Sequence, residues 1–335
     1  MAIPPTTRAP GPRDPDDPRE DETEHEFAVK ARTQGQLVRE RFFRHRGALG
    51  GMGVLVFVIV LAFSSIGIGP IPGWWGKDYF STYPIVNPGG MATLSMPTWL
   101  GGTGFAIGEH PLGQDTIGKD YFALTMRGAQ QSLKIAFTVG ITATLLGTIV
   151  GALSGYFRGW VEASLMRLTD VIITIPVLVI AAVLATTFND FGIFALGLVL
   201  GAVIWTGLAR LVRGEFLSLR EREFVEAARA MGAPSGRIIV RHILPNTLGT
   251  IIVNATLVIA VAILLETALS FLGFGVQPPD VSLGSLISLY QNAFITRPWL
   301  FWWPGLFIIA IALSINFIGD GLRDAFDPRQ NRVRD

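Results

Sequence analysis

Glu226, Ala227 and Ala228 are followed by three residues and Gly232, then by nine more and the run His242-Ile243-Leu244-Pro245. This spacing suits chemistry between molecules. The paired alanines leave little bulk where another backbone approaches closely. Between Glu215 and Met231, the apolar residues Leu217, Phe224, Ala228 and Met231 fall near one helical face, while Arg220, Glu221, Arg222 and Glu223 point elsewhere. Gly232 can end that helix in a left-handed turn, and Pro234 suits the first turn of the next. The segment therefore predicts helix, tight turn, helix. A mere connector needs only a few residues, so a hairpin here reads as a docking surface. Alanine also favours helix for its own sake, and residue types alone leave that second reading open.

Other polar residues sit inside apolar sequence. Glu266 falls in the run 249–272, where an acid near a bilayer centre costs roughly 3 kcal/mol. It should face protein or a water-filled path, as a pore or gate residue or as one end of an interhelical hydrogen bond. Arg167 and Asp170 are three apart, one helical turn, and are expected to pair. Asn254 and Asn316 are expected to bridge helices. With no cysteine, disulfides and thiolate chemistry are excluded. The four histidines, His25, His45, His110 and His242, show no helical-spaced pair for a metal. No nucleophile–base pair lies within the apolar runs. No G-x-x-x-x-G-K-[ST] loop is present, since Gly76-Lys77 and Gly118-Lys119 are each followed by Asp. The chain is therefore neither an enzyme nor an ATPase, and no feature calls for nucleic acid.

The elements that carry these residues are membrane spans. Half of the 335 residues are hydrophobic and 16% are charged, against about 25% in soluble domains. The fold class is all-α integral membrane protein. Six runs are long enough to cross a bilayer: 47–68, 132–156, 162–187 (interrupted by Pro176), 191–212, 249–272 and 302–321. Prolines and glycines inside spans are tolerated where neighbours satisfy the freed backbone groups. Segment 1–32 is rich in proline and acid, cannot bury a core, and is expected to be disordered. It shows no signal-peptide pattern. Residues 33–46 mix Leu37, Val38, Phe42 and Phe43 with Arg39, Arg41, Arg44 and Arg46, a basic amphipathic segment at the membrane surface. Of the 27 Lys and Arg residues, 22 fall on one side of the spans. That side is cytoplasmic by the positive-inside rule. It holds both termini, the loop 213–248 and the tail 326–335. The outer loop 69–131 is expected to have local structure, with turns through His110–Asp120 leading into a helix near Tyr121. Trp74 and Trp75, and Trp299, Phe301, Trp302 and Trp303, read as interfacial belts.

The hairpin spacing resembles the EAA loop of permease subunits in bacterial ABC importers: E-A-A, three residues, G, nine residues, I, any residue, L-P. Glu226, Ala227, Ala228, Gly232, Leu244 and Pro245 match, and His242 stands where isoleucine is usual. Arg241-His-Ile-Leu-Pro-Asn246, His110-Pro-Leu-Gly-Gln-Asp-Thr-Ile-Gly-Lys-Asp120 and Leu269-Ser-Phe-Leu-Gly-Phe-Gly-Val-Gln-Pro-Pro279 are similar to the dipeptide/oligopeptide/nickel branch, second permease type. The resemblance covers about residues 33–325, as a permease domain over 47–325. It implies the six-helix type I importer permease fold in a bacterial inner membrane. It also implies that Glu226, Ala227, Ala228, Gly232, Leu244 and Pro245 contact a cytoplasmic ATPase. The implied partners are a second homologous permease, two ATP-binding subunits that carry ATP and Mg, and an extracytoplasmic substrate-binding protein, with no cofactor in this chain. The implied cargo is a dipeptide or oligopeptide, with nickel, glutathione or haem as the branch's other solutes. A self-contained ion-coupled transporter would be expected to show repeated halves and midplane acids. This chain has no evident repeat and one clear intramembrane acid.

Overall fold

The structure is a computed structural model that describes residues 34–95, 98–100, 102, 104–188 and 191–327. The segment 1–32 expected to be disordered, and the tail from residue 328, lie outside the described residues. Helix α1 (Gln34–Arg44) is the expected amphipathic segment, with Val38 and Phe42 half-buried and Arg39 and Arg44 exposed. His45 then caps α2 (Arg46–Ser65), its Nδ1 accepting from the Ala48 N–H at 3.0 Å. Two short strands, β1 (Gly67–Ile68) and β2 (Ile71–Pro72), open the long outer segment.

Helix α3 (Tyr121–Phe157) is 37 residues long and forms the spine of the bundle. It starts eleven residues before the expected span. Asp120 caps it by accepting from the Ala123 N–H at 2.9 Å, and residues 121–126 are buried in the outer segment. The third expected span is two helices, α4 (Gly159–Thr174) and α5 (Val177–Phe188), bent by 91°. Pro176 lacks the N–H that would continue the helix, and its ring excludes the carbonyl four residues back. Ile175 before it is accordingly extended (φ −88°, ψ 129°). The fourth is α6 (Ile193–Ile204) and α7 (Thr206–Leu219), bent by 49°. After a hairpin helix α8 (Glu223–Ala230), helix α9 runs from Ser235 to Phe271. Short α10 (Leu283–Tyr290) precedes α11 (Trp299–Phe326). Helices α2, α3, α9 and α11 are each long and apolar enough to cross a membrane. Counting each bent pair as one crossing gives six.

Close approach of backbones holds the spine to α7. Gly147, Gly151 and Gly155 repeat every fourth residue along one face of α3. A Cβ on them would lie 2.9 Å from the Trp205 carbonyl oxygen, 2.6 Å from that of Ala209 and 2.8 Å from that of Arg213. Without a hydrophobic drive between helices in lipid, such small-residue seams supply the packing. Two ion pairs join α4 and α7. Arg210 pairs with Asp170 at 2.6 Å, and Arg213 pairs with Glu162, its Nε donating at 2.9 Å. The partner of Asp170 is thus Arg210, not Arg167, because α7 brings a guanidinium closer than the helix's own turn does. Among the described residues Asn254 and Asn316 do not bridge helices: each donates to a carbonyl one turn back on its own helix, at Thr250 and Ala312.

Candidate functional site

The loop between α7 and α9 is shorter than 213–248, because α7 continues to Leu219 and α9 begins at Ser235. The single helical face expected from Glu215 to Met231 is interrupted at Arg220–Arg222. There the Arg220 guanidinium donates to the Tyr156 carbonyl oxygen, and Glu221 pairs with Arg158 at 3.1 Å. Both contacts fix the hairpin to the turn between α3 and α4. Helix α8 then has Glu223 and Glu226 in its first turn and Arg229 in its last, the arrangement its dipole favours.

Gly232 ends α8 with φ +78°. Its N–H donates to the Arg229 carbonyl at 3.0 Å, and the Ala233 N–H reaches back to that of Ala228 at 3.1 Å. These two bonds make a Schellman turn, which needs a left-handed residue at this position. Pro234 caps the next helix, its carbonyl accepting from the Ile238 N–H at 3.1 Å. That helix is the foot of α9 itself, so the hairpin and the fifth span are one rigid piece. Residues Ile238–Ile243 form a π turn in which the Leu244 N–H reaches back five residues to Ile239. Pro245 has no N–H to give to a regular ladder, and the wider turn accommodates it.

The buried side of α8 is Val225 and Ala228, packed with Phe216, Ile238 and Ile243, with Leu244 half-buried against the same cluster. Ala228 therefore meets its own chain. Glu226, Ala227, Gly232 and Pro245 are exposed. Phe224 is 41% exposed and Met231 81% exposed. Phe224 and Met231, expected on one face with Ala228, part from it: Ala228 is buried, while they share an exposed stripe with Ala227, spaced 224, 227 and 231. Val225, which does face inward, lies one residue off the expected stripe. An α-helix of eight residues cannot bury both stripes, and the one facing Ile238 wins. The outward stripe is apolar and lies beside the exposed Glu223 and Glu226.

Glu266 is fully buried in α9. Its carboxylate accepts from Ser132 Oγ of α3 at 3.0 Å and from Ser270 Oγ at 2.6 Å. Ser132 in turn accepts from the Leu283 N–H at 3.1 Å, and Ser270 and Ser282 hydroxyls lie 3.1 Å apart. In this conformation the acid ties α3, α9 and the start of α10 together. At the same end, Asp120 accepts from Trp75 Nε1 at 2.7 Å and meets His110 Nδ1 at 2.7 Å. His110 Nε2 is 2.9 Å from Lys77 Nζ. An ammonium only donates, so Nε2 accepts and Nδ1 carries the proton. His110 thus serves the fold of the outer segment. Tyr290 donates to Asp115 at 2.9 Å. Burial, then the charge of Asp115, pushes its phenol far above the usual value. Among the described residues no cluster of three His, Asp or Glu side chains could hold a metal.

Four helices long and apolar enough to cross a membrane, up to six crossings with the two bent pairs, and a hairpin at one end make the anatomy of a multi-pass membrane protein. Residues 147–332 match the family described as binding-protein-dependent transport system inner membrane component, and residues 33–79 match the N-terminal TM domain of oligopeptide transport permease C. The oligopeptide transport system permease protein OppC of Mycobacterium tuberculosis is 39% identical over 299 residues, 89% of this chain and 96% of that one. The protein of the same name from Haemophilus influenzae is 36% identical over 304 residues, 91% of each chain. A putative peptide permease of Brucella ovis is 38% identical, over 86% of this chain and 89% of that one. A chain of the MetNI methionine ABC transporter, solved in an inward-facing conformation, superposes with a TM-score of 0.50 at 20% identity, over 61% of this chain and 96% of that one. That likeness concerns the fold. The chain belongs to the family of binding-protein-dependent transport system inner membrane components. It is a transport subunit, not an enzyme.

Proposed function

We propose that the chain forms half of the translocation pathway of an ATP-driven importer of dipeptides or oligopeptides in the bacterial cytoplasmic membrane. The hairpin end faces the cytoplasm with both termini. A second, homologous permease completes the pathway, an extracytoplasmic binding protein delivers the solute, and two ATP-binding subunits supply ATP and Mg. Glu226, Ala227, Gly232 and the exposed Phe224 and Met231 meet an ATP-binding subunit. Ala228 and Leu244 serve the docking from behind, by holding α8 on the foot of α9, and Pro245 serves it from the exposed end of the π turn in that foot.

The observation that carries this reading is the outward stripe of α8, held rigid by the Schellman turn and by the Arg220 and Glu221 ties to α3 and α4. A displacement of α8 is passed to α9 through the packing of Val225 and Ala228 on Ile238 and Ile243 at its foot. The ion pairs of Arg210 and Arg213 carry it to α4 and so to the 91° bend at Pro176. ATP shifts the two-state equilibrium of the bundle only by its differential affinity for the two states, so the hairpin must hold a different position in each.

The test is reconstitution in vesicles. With the second permease, the ATP-binding subunits and the binding protein present, ATP should drive accumulation of peptide against its gradient. Omitting the ATP-binding subunits should abolish it. Uphill accumulation by this chain alone would overturn the reading.

A further inference from the structure

One face of α3 carries Arg127, Gln131, Lys134 and Thr138 from the outer end into the apolar part of the helix. The first two are committed. Arg127 holds Asp280 with both arms, Nε to Oδ1 at 2.7 Å and Nη2 to Oδ2 at 2.9 Å, and lies over the Tyr79 ring at 4.9 Å. Gln131 donates to the same carboxylate, which also accepts from the Val281 N–H at 3.2 Å. The Asp280 carboxylate is therefore already engaged by Arg127, Gln131 and the Val281 N–H. Lys134 reaches Gln131 Oε1 at 3.3 Å and lies over the Phe63 ring at 5.8 Å. No carboxylate of the described residues comes within 4.0 Å of it. Two cations thus face one anion.

Beside this cluster opens a cavity of about 520 Å³. Its walls include Phe191, Phe194, Leu196, Gln277, Pro279 and Asp280. Asp280 belongs to both features: it lines the cavity and holds Gln131, which holds Lys134. A half-buried ammonium in the first turns of an apolar span is costly to keep there, and such groups face the bundle interior or a water-filled path. A cavity with apolar walls and a few polar groups is the usual form of a small-molecule site.

We propose that Lys134, joined to the wall of this cavity through Gln131 and Asp280, receives a carboxylate of the solute as it passes, the C-terminal carboxylate where the solute is a peptide. The proposal rests on the peptide-importer reading. The ammonium supplies the charge, Gln131 and the Arg127–Asp280 pair fix its position, and Phe191 and Phe194 offer surface to the solute's side chains.

The experiment uses the complete transporter in vesicles of neutral phosphatidylcholine, with tetra-alanine as the free acid and as the C-terminal amide. Lys134→Gln should lower uptake of the acid about tenfold, the size of one lost hydrogen bond to a charged group, and leave the amide unchanged. Lys134→Arg should restore most of the loss. If the binding protein delivers no amide, the acid decides alone: a tenfold fall in K134Q with recovery in K134R supports the site, and unchanged uptake in K134Q overturns it. Equal loss of both peptides in both variants overturns it in favour of a structural lysine. A K134Q defect cured by adding anionic phosphatidylglycerol overturns it in favour of a lipid phosphate. Uptake of neither peptide by the unaltered transporter refutes the peptide reading and this site with it.

Discussion

Gly232→Val is expected to abolish uptake while the protein still inserts and accumulates in the membrane. Nothing lies within 4 Å of a Cβ built on Gly232, so the fault cannot be a collision. It is conformational. The backbone sits at φ +78°, where an L-residue costs roughly 1–2 kcal/mol and a β-branched one sits at the upper end. Relief of that strain unwinds the Schellman turn, frees the Ala233–Ala228 bond and lets α8 leave Val225 and Ala228's seat on Ile238. The spans are untouched, so insertion survives. Asparagine tolerates the left-handed region, and Gly232→Asn should keep most of the activity. Uptake and membrane abundance measured side by side check this. Normal uptake by the valine variant would mean that the turn has no part in coupling.

Gly151→Leu is expected to do the opposite, losing the folded bundle itself. A Cβ at Gly151 would stand 2.6 Å from the Ala209 carbonyl oxygen and 2.7 Å from Val212 Cβ. Neither is the free end of a flexible side chain, so α3 and α7 must part. Overpacking typically costs about 1–3 kcal/mol for a few methylenes, and here backbone blocks backbone. The detergent-purified variant should melt well below the unaltered protein or aggregate on sizing. Gly207→Ala, on the same α7 with open space around its Cβ, should change little. Equal melting of all three proteins would show that the glycine seam is not what joins these helices.

The parts legible in the sequence were those fixed by neighbouring residues. Apolar runs located the six crossings, because a bilayer demands length and hydrophobicity from each segment separately. Gly232 and Pro234 marked the hairpin turn through local backbone preference. Asp120 and Tyr121 marked the start of the second long helix. What escaped depended on other elements. Which side of α8 turns inward is set by Ile238 and Phe216, not by α8, so the sequence alone does not separate Ala228 from Phe224 and Met231 or pick out Val225. The choice of Arg210 over Arg167 for Asp170 needs α7 beside α4. The break at Arg220–Arg222 needs the Tyr156 carbonyl from a different span. The spacing of Gly147, Gly151 and Gly155 was a signal in plain view. Small residues every fourth position inside an apolar run predict a close helix neighbour, though not which helix it is.

The central claim, that the hairpin receives force from a separate ATP-binding subunit, can be tested at a single atom. The chain has no cysteine, so Met231→Cys carries its sole thiol, at a position 81% exposed. In the assembled, ATP-hydrolysing transporter, a short thiol-to-amine crosslinker should join this residue to an ATP-binding subunit. The same reagent on Trp99→Cys, 80% exposed at the other end of the molecule, should join none. An active assembly in which residue 231 captures no ATP-binding subunit, or residue 99 captures one, would contradict the account.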